Sequence, residues 1–92
     1  MPEISRFLGI IIRMHFNDHN PPHFHAAYGE WEALIEIETL GILRGELPRR
    51  ILALVLEWAF YRREELRQNW DRVRMGKSVE PIAPLDGTEG VL

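Results

Sequence analysis

Residues 23–37 read HFHAAYGEWEALIEI, and this run constrains the fold more than any other part of the chain. Side-chain character alternates on both sides of Gly29-Glu30. Alternation of this kind turns one face of a strand inward and the other outward. Glycine in the first of two connecting positions suits a tight type II′ turn. The run therefore predicts a hairpin with arms at 23–28 and 31–37. In that register Tyr28 faces Trp31, Ala26 faces Ala33 and Phe24 faces Ile35, on a core side shared with Ile37. On the other side Ala27 faces Glu32, His25 faces Leu34 and His23 faces Glu36. A slip by one residue would turn the aromatics into water, so burial holds the pairing to this register or an even shift of it.

A lone hairpin is marginal in water and needs further elements to cover its apolar face. Residues 10–16 supply a strand, with Ile10, Ile12, Met14 and Phe16 pointing one way and Ile11, Arg13 and His15 the other. The NDHNPP segment that follows reads as a loop, because its two prolines withhold amide donors and Asn20 is pushed out of helical conformation. A fourth short strand is expected over residues 40–44, ending at Gly45. Pro48 opens a helix, since its missing amide costs nothing at the first helical position. The helix is expected to run to Met75, with Gly76 as its stop.

Leu52, Val55, Ala59, Leu66, Trp70 and Val73 fall within one stripe at about 100° per residue, and that stripe covers the sheet. Ile51, Leu56, Trp58 and Phe60 widen it in the first half, while Leu54 and Tyr61 fall on the back, as single exposed residues or as a dimer contact. Some 28 helical residues would span roughly 42 Å. That exceeds a small sheet, so the arginine-rich end should project beyond it or bend over an edge. The expected fold is α+β: a small antiparallel ββββ sheet covered by one long C-terminal helix in a single domain over residues 1–76, then an extended tail over 77–92. Phe24, Tyr28, Trp31, Ile35, Leu52, Val55 and Trp70 are expected in one core. Prolines at 81 and 84 keep the tail out of the interior of its own sheet. Residues 79–85 are therefore expected to be mobile in the isolated domain and to order against a second chain.

A chain of 92 residues supports one modest core. It contains no cysteine, which excludes disulfides and thiolate metal sites and fits a reducing compartment. No apolar run approaches the length of a membrane span and no secretory pattern follows Met1, so a cytoplasmic location away from membranes is expected. The net charge of −3 is uneven. Residues 48–77 carry eight basic against four acidic side chains, and the flanking segments are acidic. A basic segment can contact nucleic acid or serve self-association, but the acidic balance of the whole counts against a dedicated nucleic-acid binder. Arg67 with Asp71, and Glu64 with Arg67, stand at helical spacings that neutralise part of that segment.

The histidines carry the chemical interest. His23 and His25 are neighbours on the polar face, joined by His15 and Arg13 if the first strand pairs with the second; Glu36 lies across from His23, and His19 is in the adjoining loop. Three readings stand. The histidines can be structural, capping the proline loop and the strand ends. They can bind a divalent metal such as zinc, with ligands drawn from His19, His23, His25 and Glu36, or with His15 as the further ligand. Or His23, His25 and His15 can supply an acid–base pair for metal-independent RNA cleavage, with Arg13, Arg49 or Arg50 holding the phosphate.

The runs ISRFLGIIIRM, DHNPPHFHAAYG, GELPRR, LVLEWAFYRREELRQNW and PIAPL together resemble a small prokaryotic family, domain of unknown function 4160. The resemblance extends to about Leu85, and the motif positions Asp18, His19, Pro21, Pro22, His23, His25, Tyr28 and Gly29 all match. It implies no particular reaction. It does imply a genomic habit, since such proteins are often encoded beside members of domain of unknown function 2442, an arrangement similar to toxin–antitoxin modules. Two functions from different classes are therefore expected: a toxin–antitoxin-like component that acts on or binds RNA through the histidine face, or a non-catalytic module that binds a co-encoded protein or a second copy of itself.

Overall fold

The computed structural model describes residues 2–85. Five strands lie in chain order in one antiparallel sheet: β1 (Glu3–Phe7), β2 (Ile10–Arg13), β3 (His23–Tyr28), β4 (Trp31–Glu36) and β5 (Ile42–Glu46). Two helices follow, α1 (Arg49–Tyr61) and α2 (Arg63–Arg74). The α+β class and the antiparallel sheet are as the alternation predicts. The hairpin register is too: Tyr28 pairs with Trp31, Phe24 with Ile35, His25 with Leu34 and His23 with Glu36. Gly29 has φ +58°, which suits the first position of its turn.

The expected four strands and single helix are corrected to five and two. The missed strand, β1, joins β2 through Leu8 and Gly9, both at positive φ. A register shift between Glu3 and Ser5 breaks its alternation, so Ile4, Ser5 and Phe7 are all buried and no regular period survives in the sequence. β2 ends at Arg13 rather than at residue 16, and Phe16 is exposed although Met14 remains buried. β5 begins later than expected because Leu40 turns at φ +62°. Gly45 lies inside β5, not beyond it, at φ +80°; a Cβ there would collide with the Glu32 carbonyl.

The helix breaks at Arg62, whose φ of −113° leaves the helical region and whose amide is shared between the Trp58 and Ala59 carbonyls. Thirteen and twelve residues make two segments of about 20 and 18 Å. Arg63 donates from Nε to the Ile37 carbonyl, and Arg67 grips Glu38 with two bonds of 2.6 and 2.9 Å. Glu64 also bonds Arg67, as the spacing suggested. The bend keeps Leu66, Trp70 and Val73 on the core.

The core contains Phe24, Ile35, Val55 and Trp70, as expected, with Tyr28 and Leu52 packed partly buried against it. Trp31 is the exception, at 44% exposure. It keeps its register partner Tyr28, but burial along β4 stops at Ala33, short of the hairpin tip. Phe60 is also exposed, edge-on to Tyr61 on the back of α1, while Leu54 packs partly buried against the core.

Trp58 is fully buried between Phe7 and Phe24, and its Nε1 donates to the Ala83 carbonyl at 2.8 Å. That bond belongs to a segment expected to wait for a second chain. Residues 78–85 instead lie on their own domain. Ile82 and Leu85 are in the core, the Ile82 amide bonds the Ile4 carbonyl, and buried Asn69 uses both ends of its amide on the Glu80 backbone. Pro81 and Pro84 have no amide to donate, and the helices hold the residues before them, Glu80 and Ala83, through the side chains of Asn69 and Trp58. The rest of the expected tail, residues 86–92, lies outside the described residues.

Trp58→Ala should cost about 3–5 kcal/mol in urea unfolding, whereas Trp31→Ala should cost about 1 kcal/mol or less. Truncation after Lys77 removes two buried aliphatic side chains and orphans Trp58 Nε1 and Asn69. At roughly 1.5–3 kcal/mol per side chain and about 1–3 per orphaned group, the truncated chain should be largely unfolded by circular dichroism.

Candidate functional site

The site is built on β3. Its alternation sends Phe24 and Ala26 into the core and His23 and His25 to the opposite face. That face is not open. The loop between β2 and β3 folds back across it, and both histidines are 6% exposed. The peptide between Asn20 and Pro21 is cis. Asp18 lies at the centre of the loop's contacts: its Oδ2 is 2.9 Å from His25 Nε2 and 3.2 Å from His23 Nε2. His23 donates from Nδ1 to the Pro21 carbonyl at 2.8 Å. His25 Nδ1 faces Glu32 Oε2 at 3.2 Å. The His15 ring stacks on His25 with centroids 3.6 Å apart and planes within 5°.

The electrostatics follow from this crowding. Burial, and then the neighbouring charge of His25, hold His15 below the ordinary imidazole range against the pull of Asp18 and Glu32. Burial pushes the Asp18 carboxyl up, but the His25 hydrogen bond and the charges of His23, His25 and His15 outweigh it and hold the group below the usual carboxylate range. His15 Nε2 and His23 Nε2 are buried with no hydrogen-bond partner among the described residues.

The structure brings His15, His23 and His25 together, and places Arg13 opposite His25 in the β2–β3 register. His19 and Glu36 do not join them. His19 is exposed on the loop, and Glu36 accepts from Thr39 Oγ1 at the far end of β4. Arg49 and Arg50 are exposed at the start of α1. Asp18 and Glu32 are the residues that sequence reasoning missed. Glu32 carried a signal, because the predicted register put it diagonal to His25 on the same face, within reach of a long side chain. Asp18 sits in an aperiodic loop, where spacing says nothing about direction.

Two groups of these side chains could hold a metal ion: Asp18, His23 and His25, and separately His15, His25 and Glu32, each with ligand atoms within 4.8 Å of one another. Both imidazoles point at a carboxylate, an arrangement that suits proton sharing and ligation. Among the described residues no helix is long and apolar enough to cross a membrane.

Asp18→Ala removes the hydrogen-bond partner of buried His25 Nε2 and should destabilise the fold by about 1–3 kcal/mol in urea unfolding. Glu36→Ala, outside the cluster, should change stability by about 0.5 kcal/mol or less.

Comparison with curated proteins finds no match, and neither does comparison with solved structures. The model of the family described as Domain of unknown function (DUF4160) matches residues 9–71, from the turn before β2 into α2, and so takes in all three clustered histidines, Asp18 and Glu32. With more than half of its length matched, the chain belongs to the DUF4160 family.

Proposed function

We infer that this protein is a cytoplasmic, non-catalytic interaction module that takes an extended segment of a co-encoded small protein along the free edge of its sheet. The observation that carries this reading is the difference between the two edges. At β1 the edge is occupied, because the Ile82 amide bonds the Ile4 carbonyl. Among the described residues the sheet ends at β5, whose five residues are all exposed, and Ile42, Leu43 and nearby Trp31 offer apolar surface. An open edge is a template for strand addition. Charge specifies the partner further. Glu32 and Glu46 stand directly opposite each other across β4 and β5, a repulsive pair that a basic side chain on an added strand would relieve. In this reading the histidine face is a brace for the β2–β3 loop, held by hydrogen bonds or by a divalent ion such as zinc. A toxin–antitoxin-like role remains compatible with it, as the half of such a pair that binds protein. An RNA-acting histidine face draws less support, because His23 and His25 are closed over by Asp18.

The test is to purify the chain with the product of its neighbouring gene and measure affinity by calorimetry. Leu43→Lys and Trp31→Ala should each weaken binding by roughly tenfold or more with no change in the thermal midpoint beyond a few degrees. Unchanged affinity in both variants would remove the β5 edge as the contact. Cleavage of RNA by the purified chain, abolished in His25→Gln, would overturn the non-catalytic reading. Sedimentation of the chain alone checks whether a second copy can take the partner's place.

A further inference from the structure

Three donor atoms converge under the β2–β3 loop with too few protons between them. The Pro21 carbonyl can only accept, so His23 carries its ring proton on Nδ1 and presents a lone pair at Nε2. That Nε2 is buried, makes no hydrogen bond, and lies 3.2 Å from Asp18 Oδ2. His25 stands between two carboxylates, with Glu32 Oε2 3.2 Å from Nδ1 and the same Asp18 oxygen 2.9 Å from Nε2, so one ring proton serves one of them and leaves the other nitrogen as a lone pair. With that proton on Nδ1 toward Glu32, two imidazole lone pairs and a carboxylate oxygen face one another, and they repel at these distances unless positive charge stands among them.

We propose that Asp18 Oδ2, His23 Nε2 and His25 Nε2 are the ligands of a divalent transition ion of the zinc class. Their mutual separations lie within 4.8 Å. Around a tetrahedral ion with bonds of about 2.1 Å, ligand atoms stand about 3.4 Å apart. The 2.9 and 3.2 Å spacings therefore need to open by about half an ångström or less. Two imidazoles with one carboxylate match zinc better than magnesium, which prefers oxygen ligands in octahedral array. The outer partners also fit. A ligating imidazole ordinarily donates its other N–H to a carbonyl or a carboxylate, and here Pro21 serves His23 while Glu32 serves His25. The fourth position opens toward Asp18, whose side chain is 20% exposed beside a shallow hollow formed with Phe16, Asn17, His19, Asn20 and Arg74. The proposal rests on the reading of the histidine face as a brace: the ion ties the β2–β3 loop to β3.

The experiment uses the full chain, stripped with chelator and titrated with zinc. One equivalent should bind. His23→Gln, His25→Gln and Asp18→Asn should each weaken binding by more than about 100-fold, and Glu32→Gln by about 10–100-fold. His19→Gln and Glu36→Gln should bind as the unsubstituted chain does. In case a variant fails to fold, nitrogen NMR of the unsubstituted chain gives a second readout, in which zinc should move the Nε2 signals of both His23 and His25. Absence of stoichiometric binding by the unsubstituted chain overturns the proposal, as does binding that moves only His19 or that survives in folded His23→Gln and His25→Gln. Affinity for the co-encoded protein is measured alongside, with and without zinc. Partner binding without zinc binding overturns the metal site alone, and zinc binding without partner binding overturns the module reading alone.

Discussion

The Trp58 indole ties this small domain together. It is the largest fully buried side chain, it meets Phe7 of β1 and Phe24 of β3, and its single donor is satisfied by Ala83. A buried indole must find an acceptor, and the helix that carries Trp58 has already used its own carbonyls in the ladder. The acceptor comes from the chain beyond α2. Once that segment is drawn in, Asn69 pairs with the backbone of Glu80 and Ile82 and Leu85 close the core. A fold of this size has little apolar area to spare, so the last described residues act as part of the domain, and among the described residues the β5 edge of the sheet is without cover.

The opposite face of the sheet obeys a different rule. There ionisable side chains from β3 and from the loop before it pack against one another, with Asp18 at their centre. Asp18 stays ionised, despite its burial, because the histidines surround it. The stacked His15 ring covers His25 while being pushed toward its neutral form. The result is a loop pinned by electrostatics on one face and a core set by packing on the other. The two meet at Trp70, whose ring lies 5.4 Å from that of His23.

The sequence by itself determined the parts of this protein that local periodicity encodes. The hairpin register is legible from 23–37, because a one-residue slip would bury the histidines' neighbours wrongly and expose Phe24 and Ile35. The sharing of one face by His23 and His25 follows from the same alternation, and so does the helical stripe through Val55 and Trp70. Only the tertiary structure decided the rest. β1 was hidden by its bulge, the break at Arg62 carries no proline or glycine to announce it, and Trp31 is exposed because the core ends before the hairpin tip. Asp18 and Glu32 enter the site through a loop and a diagonal contact, and the segment at 78–85 docks through Trp58 and Asn69. These are contacts between residues far apart in the chain, or between neighbours whose direction no period sets. A period records which way a side chain points from its own strand or helix; it does not record what the rest of the chain places in front of it.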